Sequence, residues 1–293
     1  MTVAPLSEVG RLTDLVVKHA ADAFVDAERI GAEWQALNFT APPDLARACR
    51  EYDGFLQLLS DTGTTIRLLP RGEDVGLDSI YVRDASVVTP AGLVLCNMGK
   101  AARAGEPAAQ QRAFAEWGLP VAGAIRPPGK LEGGDVVWLG PRTIAVGRGY
   151  RTNDDGIAQL RELLGDTIDE LIVVPLPHWR GPGDVFHLMS VLSPIDRDLA
   201  VVYPRLMPVP LIERLYQLEY ELIEVPDGEF DSMGANVLAI APRRAVMVVG
   251  NPRTQQRLEA VGVEVVVYEG EEISVKGGGG PTCLTRPVRR EGS

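Results

Sequence analysis

The chain carries a repeat of about fifty residues, and this repeat constrains its fold more than any other feature. Asp84, Glu132, His187, Asn236 and Cys283 each stand at the opening of a strand-like run, with gaps of 48, 55, 49 and 47 residues between them. Each of the first four is followed by a second strand-like run and then by a helix-like stretch. Periods of this size are typical of radial arrays and solenoids, in which one repeat is one supersecondary unit.

The unit that opens at Cys283 has too little chain after it to form a helix of its own. We therefore expect the N-terminal strand and helix, about residues 11–62, to complete this unit and close a ring. Strands and helices alternate throughout, which predicts the α/β class. The sequence thus predicts one catalytic domain over residues 1–293, with five units around an axis and the five opening residues at one central mouth.

Composition and charge exclude several classes of protein. The formal net charge of −11 disfavours nucleic acid as a partner and is compatible with a cationic small molecule. No apolar run approaches the ~20 residues of a membrane helix, and the N-terminus has no secretory pattern. The three cysteines are few, odd in number and far apart, so we expect a reducing compartment, the cytoplasm, and no structural metal site.

One of the three cysteines has a sequence context that favours chemistry. Cys49 lies on the apolar side of a predicted helix and Cys96 in an apolar strand, whereas Cys283 follows four glycines in "VKGGGGPTC". Glycine permits close approach of the backbone to a ligand. A nucleophilic cysteine also needs a partner that supports the thiolate or supplies protons, and a histidine distant in sequence is the expected partner. We expect His187 to fill this role, because it opens "FHLMSVLSP" and shares the predicted mouth, unlike His19.

Two carboxylates accompany this pair at the unit openings. Asp84 in "YVRDASVV" is predicted to lie inside an apolar strand, and Glu132 in "LEGGDVVWLG" precedes two glycines. Carboxylates match the planar donor fork of a guanidinium, so two of them could hold its central carbon in front of a thiolate. Dinucleotide, P-loop and Gly-x-Ser-x-Gly signatures are incomplete or missing in the sequence.

The motifs "YVRDASVV", "LEGGDVVWLG", "GRGYRTN", "HLMSVLSP", "GANVLAI" and "GGGGPTC", in this order over about residues 60–290, resemble the guanidino-modifying superfamily. The closest likeness is to dimethylarginine dimethylaminohydrolases, with arginine deiminases and amidinotransferases as relatives. The resemblance implies the pentein fold, an α/β-propeller of five ββαβ units around a pseudo-fivefold axis. It also implies that Cys283 is the nucleophile, that His187 is the general acid and base, and that Glu132 and Asp84 bind the guanidinium.

The resemblance extends less completely to the residues that would hold the rest of a substrate. Arg151 in "YRTN" matches an arginine that grips the substrate carboxylate, and Asp78 matches an acid that contacts the substrate amine. Arg83 stands where dimethylarginases have glutamate, which is closer to the deiminase pattern. Asn97 stands near the position of a second arginine that binds the carboxylate, and Arg103 is a candidate to replace it.

These residues predict hydrolysis of a C–N bond in a (methyl)arginine-type guanidine through a covalent thiouronium on Cys283. Dimethylarginine would give citrulline and dimethylamine, with neither metal nor cofactor. Arginine deiminase, dihydrolase or amidinotransferase activity on another guanidino compound stays open, as does a non-enzymatic pentein binding protein. The expected partner is a cationic guanidino small molecule rather than nucleic acid or a membrane, and a homodimer is an assembly left open.

Overall fold

The computed structural model describes residues 7–183 and 186–291, and this part of the chain forms five three-stranded sheets. The strands are β1 Arg11–Val17, β2 Thr65–Leu68, β3 Ser86–Thr89, β4 Gly92–Leu95, β5 Val121–Ala124, β6 Val136–Gly140, β7 Thr143–Arg148, β8 Glu170–Pro175, β9 Leu192–Asp196, β10 Leu199–Val202, β11 Glu221–Glu224, β12 Leu238–Ala241, β13 Arg244–Val248, β14 Glu264–Tyr268 and β15 Arg286–Glu291. The α-helices are α1 Ala20–Phe24, α2 Ala27–Glu33, α3 Leu45–Ser60, α4 Glu106–Glu116, α5 Asp154–Leu164, α6 Val209–Gln217, α7 Asp227–Phe230 and α8 Pro252–Ala260.

Four of the sheets have the same connectivity. The strand triplets β3–β4–β5, β6–β7–β8, β9–β10–β11 and β12–β13–β14 each join two antiparallel strands, and a third strand returns parallel to the second. The parallel return crosses through one helix: α4, α5, α6 or α8. These are ββαβ units, and they confirm the architecture predicted from the repeat.

The fifth sheet is built from both ends of the described chain. β15 pairs antiparallel with β1, and β1 pairs parallel with β2 after α3. Neighbouring units contact each other through their first strands, as β9 does with β12 and β15 with β3. That residues 1–293 form a single catalytic domain stays a prediction.

The helices begin and end where local chemistry predicts. Asp44 caps α3 by accepting a hydrogen bond from the Arg47 backbone nitrogen at 2.7 Å. Tyr52, Phe55 and Leu59 form the buried stripe of that helix, at helical spacing. Within the described residues, no helix combines the length and apolar character needed to cross a bilayer.

Two of the predicted strand boundaries were wrong. Asp84 lies in a turn before β3 rather than inside a strand, because the backbone here is engaged by turns of other units. Arg83 N donates to the Cys283 carbonyl at 3.2 Å, and the Asp84 carbonyl accepts from Gly133 N at 2.9 Å. His187 likewise precedes a 3-10 turn, residues 188–190, and β9 begins only at Leu192.

Candidate active site

Cys283 is buried at the end of the glycine-rich loop. Its Sγ accepts a hydrogen bond from Asn236 Nδ2 at 3.4 Å and lies 3.9 Å from Thr282 Oγ1. Asn236 Oδ1 in turn accepts from the Thr282 backbone nitrogen at 3.0 Å. The opening residue of the fourth unit therefore fixes the position of the thiol at the opening of the fifth.

The loop consists of glycine because its backbone lies directly against other side chains. A Cβ at Gly277 would lie 1.9 Å from Tyr81 Oη, and a Cβ at Gly279 would lie 2.4 Å from Tyr81 Cε1. Gly278 between them has φ +75°, a left-handed backbone conformation that glycine adopts without strain. The run is thus a close-packed wall over the buried Tyr81 ring, and it leads directly to Cys283.

His187 and Glu132 form a buried pair at the openings of the third and second units. Their Nε2 and Oε2 atoms are 2.8 Å apart, and each residue is at most 2% exposed. The other oxygen of Glu132 accepts backbone hydrogen bonds from Gly99 at 2.9 Å and Lys100 at 3.0 Å. Both carboxylate oxygens are therefore held in place, and the imidazole is oriented by the one that it contacts.

Asp84 lies on the other edge of the same imidazole. Its Oδ1 is 3.7 Å from His187 Nδ1 and accepts a hydrogen bond from Gly134 N at 3.0 Å. A Cβ on Gly134 would lie 2.6 Å from His187 Nδ1 and 2.7 Å from Asp84 Oδ1, so only glycine fits there. The second glycine of "LEGGD" thus lets the imidazole and two carboxylates approach one another.

Burial and charge act in opposite directions on these groups. Burial alone would lower the pKa of His187, but the charges of Asp84, Asp135 and Glu132 outweigh it and raise that pKa to about 9. Burial alone would raise the carboxyl pKa values of Glu132 and Asp84, but the cations around them, His187 foremost, hold both below their usual values. The site therefore contains an imidazolium between two carboxylates at neutral pH.

The thiol is uncharged in this arrangement. Burial, together with the charge of Asp84, raises the pKa of Cys283, and hydrogen bonds from Thr282 and Asn236 offset this only in part. The polar contacts of Cys283 within the described residues do not include His187. The geometry therefore differs from a hydrogen-bonded Cys–His pair, and a cation placed beside the sulfur would favour the thiolate.

Arg103 occupies one side of Asp84. Its Nη1 donates to Asp84 Oδ2 at 2.5 Å, while Nε and Nη2 donate to the two oxygens of Glu106, both at 2.8 Å. Nη2 also donates to the Tyr81 carbonyl at 2.8 Å. Arg103 was predicted to bind a substrate carboxylate, and the structure places its buried guanidinium on Asp84.

Of the three other residues predicted to bind substrate, Arg151 and Asp78 contact charged groups of the site, and Asn97 lies apart from them. Arg151 Nη1 lies 3.2 Å from Glu132 Oε2, and Asp78 Oδ2 accepts a hydrogen bond from Lys100 Nζ at 2.6 Å. Asn97 donates its side-chain amide to the Gly129 carbonyl at 2.5 Å and lies outside the set of residues that line the cavity.

A small cavity collects the predicted residues at one place. Its lining is Asp78, Tyr81, Asp84, Arg103, Arg151, Gly277, Gly278, Gly279 and Cys283. About 10 Å³ is open to the centre of a water molecule, which is too little for a guanidinium. His187 and Glu132 lie behind this wall, in contact with Asp84 and Arg151. The opening residues of units one and five therefore face one small cavity.

Several residues of this site were not predicted from the sequence. Glu106 neutralises Arg103, and Lys100 holds Asp78. Asp135 accepts from Leu188 N at 3.0 Å and from Thr152 Oγ1 at 2.6 Å, so it ties the turn after His187 to the second unit. Only Asp135 had a sequence signal, since it belongs to "LEGGD"; the others became apparent only through their contacts.

Three of the site residues have the donor atoms of a metal ligand set. Asp84, Glu132 and His187 each offer one atom, and these atoms lie within 4.8 Å of one another. Arg103 and Arg151 contact the same carboxylates, and two guanidinium ions beside the set disfavour a further cation. Each carboxylate therefore already has two cations beside it, His187 with Arg103 at Asp84 and His187 with Arg151 at Glu132.

Comparison with known proteins finds a matching family model and similar proteins of known name. Residues 41–290 match the family model described as "N,N dimethylarginine dimethylhydrolase, eukaryotic". An N(G),N(G)-dimethylarginine dimethylaminohydrolase of Streptomyces coelicolor is 28% identical over 256 residues, covering 84% of this chain and 88% of that protein. An arginine deiminase of Mycobacterium avium is 28% identical over 315 residues, covering 92% of this chain and 76% of that protein.

Solved structures share the fold. The DDAH of Pseudomonas aeruginosa, a mutant complexed with citrulline, superposes with a TM-score of 0.75 at 22% identity, covering 94% of this chain and 98% of that one. SxtG, an amidinotransferase from Microseira wollei, gives a TM-score of 0.81 at 18% identity and covers 100% and 98%. These neighbours confirm the pentein fold, and the family match supports a guanidino-group hydrolase of that type.

Proposed function

Because the chain belongs to the dimethylarginine dimethylaminohydrolase family, we propose that it hydrolyses a C–N bond of a methylated arginine, with dimethylarginine as the first candidate. The observation that carries the proposal is the shared cavity of Cys283 and Asp84, with the His187–Glu132 pair directly behind Asp84. This arrangement provides a nucleophile and one carboxylate at the cavity, with a second carboxylate and a proton donor directly behind them.

The first half of the reaction follows from these charges. A substrate guanidinium between the carboxylates lowers the pKa of the Cys283 thiol, which releases its proton to solvent and becomes a thiolate. The sulfur attacks the central carbon and forms a C–S bond. His187, protonated at neutral pH, donates a proton to the departing amine as the C–N bond breaks. A thiouronium remains on Cys283.

The second half reverses the role of the imidazole. Neutral His187 takes a proton from water, and the oxygen attacks the thiouronium carbon. The C–S bond then breaks and returns its electron pair to the sulfur. With dimethylarginine as substrate, the products are citrulline and dimethylamine. Glu132 and Asp84 keep the imidazole oriented and its charge balanced through both halves.

The rest of the substrate would be held by the remaining lining residues. Arg151 is proposed to bind the α-carboxylate and Asp78 the α-ammonium, with Arg103 in the lining and Asn97 outside it as further candidates for the carboxylate. In the closed cavity these groups hold one another, as Asp78 does with Lys100 and Arg103 with Asp84. Binding would therefore exchange internal ion pairs for pairs with the substrate, which requires the cavity to open.

A substrate panel tests this function. Dimethylarginine, monomethylarginine, arginine, agmatine and simple guanidines would be assayed for both ureido product and released amine. We expect dimethylarginine to give citrulline and dimethylamine in equal amounts. Cys283→Ser should abolish turnover, while Cys49→Ser, a half-buried thiol on α3, should retain it.

The same panel separates the alternatives. Arginine deiminase activity is favoured by Arg83 and by the deiminase relatives, and it would give ammonia and citrulline from arginine. An amidinotransferase would form ureido product slowly or not at all without an acceptor amine. Turnover of dimethylarginine at no more than the background rate, with arginine hydrolysed rapidly, would contradict the proposed substrate.

A further inference from the structure

A second and much larger cavity lies along β15, beside the first strand of the next unit. It encloses about 820 Å³. One part of its wall is cationic and contains Arg83, Arg286 and Arg290. Another part is apolar and contains Leu93, Trp138 and Val288. The cavity therefore has a charged part and an apolar part, as a site for a small organic ion requires.

The three arginines are buried, and their hydrogen-bonding capacity is only partly used. Arg83 is 1% exposed, Arg286 is 5% exposed and Arg290 is 6% exposed. Four of their donor atoms have no hydrogen-bond acceptor within residues 7–183 and 186–291: Arg83 Nη2, Arg286 Nε, Arg290 Nε and Arg290 Nη2. Buried guanidinium donors are normally satisfied, because leaving one without a partner costs free energy. These donors are consistent with a ligand that accepts hydrogen bonds.

The rest of each guanidinium is fixed by the backbone. Arg83 Nε donates to the Thr282 carbonyl at 2.7 Å, and Arg290 Nη1 donates to the Ala239 carbonyl at 2.7 Å and to the Gly10 carbonyl at 2.8 Å. Arg286 Nη2 donates to the Arg83 carbonyl. The positions of the three cations are therefore set before any ligand binds, which lowers the cost of binding.

The cluster has more positive than negative charge. Glu8 supplies one carboxylate oxygen, 3.4 Å from Arg83 Nη1. Burial and the charge of Arg83 lower the pKa of Arg286 to about 9 and that of Arg290 to about 10, so both remain charged at pH 7. The lining also contains Glu291, which is paired with Arg11, so Glu8 is the carboxylate that faces the three buried cations.

We propose that this cavity binds a small organic oxyanion, a carboxylate or phosphate on an apolar body. The oxyanion accepts hydrogen bonds from Arg83, Arg286 and Arg290, whose free donor atoms are covered in this structure and turn toward the cavity on binding, and the apolar body packs on Trp138, Leu93 and Val288. Arginine forks are suited to planar and tetrahedral oxyanions. Glu8 then acts as an internal competitor for Arg83.

The proposed site is distinct from the catalytic cavity and adjoins it. Arg83 faces the large cavity, while its neighbour Asp84 faces the small one. The Arg83 backbone nitrogen donates to the Cys283 carbonyl at 3.2 Å, so the strand openings form the wall between the two. An anion in the large cavity would therefore leave the space beside the thiol free.

Calorimetric titration of the full chain with phenyl phosphate at constant ionic strength tests the proposal. We expect saturable binding of one equivalent and no saturable binding of the uncharged benzyl alcohol. Arg286→Met and Arg290→Met should each weaken binding by at least about tenfold, the equivalent of one charge-assisted hydrogen bond. Arg142→Met removes the same charge at an exposed position paired with Asp169 and should change nothing.

Glu8→Gln is expected to raise the affinity for phenyl phosphate, which is a change that unfolding cannot produce. Because it removes the competing carboxylate, it should tighten phenyl phosphate binding severalfold. Absence of saturable binding to the wild type would overturn the proposal, and so would affinity unchanged by Arg290→Met in a folded protein. If both methionine variants unfold, unchanged affinity in Glu8→Gln decides against it. Competition with bound dimethylarginine would instead place the anion in the catalytic cavity and would also overturn it.

Discussion

The individual residues of the proposed catalytic site form a line of buried charges of alternating sign. Arg103 contacts Asp84, Asp84 lies beside His187, and His187 contacts Glu132, which also contacts Arg151. Removing one member of such a line leaves an uncompensated buried charge, which costs more than the pair itself stabilises. The same line keeps His187 protonated, as a proton donor for the amine requires.

The raised pKa of His187 makes the stability of the fold depend on pH. The pKa of His187 is about 9 in the folded chain, against the 6.5 of an ordinary exposed imidazole, so the folded chain holds one more proton between these values. Its stabilising contribution is complete below pH 6.5 and is lost as the pH rises through 9. Urea unfolding should show the free energy of unfolding falling by at most about 1.4 kcal/mol per pH unit in this window.

The matched variant for this prediction is His187→Gln. It removes the imidazole proton, so its free energy of unfolding should fall less steeply between pH 6.5 and 9; a remaining slope comes from Asp135, whose pKa of about 6 rises once the imidazolium is removed. Glu106, whose pKa burial raises to about 7, acts on both proteins and cancels in the comparison. Equal slopes in the two proteins would show that the imidazole is not held protonated by its carboxylates.

Among individual residues, the sequence indicated those that belong to a recognisable motif. It missed those whose place in the site depends on contacts with distant parts of the chain. Asp84, Glu132, His187 and Cys283 were identifiable because the repeat puts each at the same place in its unit. The pairing of Arg103 with Glu106 was not, because burial of an ion pair depends on what packs over it. Asn97 shows the converse, since its motif position does not bring its side chain to the cavity.

Among the elements, the glycine loop determines how close the backbone can approach Tyr81. The backbone at Gly277 and Gly279 lies directly against the Tyr81 ring, which is itself 4% exposed and has little room to move. The loop therefore both buries this tyrosine and lines the small cavity beside Cys283. The sequence indicated that the loop was tight, but which ring it packs on required the structure.

Gly279→Ala tests this packing. Its Cβ would lie 2.4 Å from Tyr81 Cε1, so the ring or the loop must shift. We expect a loss of about 1–3 kcal/mol in the free energy of unfolding and a lower turnover rate. Gly31→Ala on α2 is the control, since nothing lies within 4 Å of its added Cβ, and it should leave both unchanged or slightly raise stability. Equal effects of the two substitutions would contradict the close packing.

Strand ends were the least predictable feature of the elements. The runs "SIYVRDASVVT" and "HLMSVLSPI" are apolar enough to be continuous strands, yet β3 and β9 occupy only their C-terminal parts. The missing residues form turns, since their backbone groups bond to other units or to themselves rather than to a ladder. Hydrophobic pattern alone does not distinguish a buried turn from a buried strand.

For the whole molecule, the pairing of β1 with β15 joins the first and last described strands. The repeat predicted this arrangement because the last unit lacks a helix, and α3 supplies it. The core reflects the same closure, since residues of β1, α3 and β12 belong to one buried cluster with Cys283 and Leu284. The position of Cys283, the proposed nucleophile, therefore depends on both the first and the last described strands.

Leu15→Ala tests whether the ring unfolds as one unit. Leu15 is fully buried on β1, so its truncation should cost about 2–5 kcal/mol and lower the midpoint of one cooperative transition. Leu68→Ala on β2 of the same sheet removes an exposed side chain, 49% accessible, and should cost less than about 0.5 kcal/mol. Two separate transitions, with only one shifted by Leu15→Ala, would contradict the single domain.

The central claim is that Cys283 becomes covalently bonded to the guanidino carbon during turnover. Acid quenching of the enzyme with dimethylarginine, followed by peptide mass spectrometry, tests it most directly. We predict a thiouronium adduct on the peptide that contains Cys283, which disappears when substrate is exhausted and is absent from Cys283→Ser. An adduct on Cys49 or Cys96, or turnover by Cys283→Ser at the wild-type rate, would contradict the account.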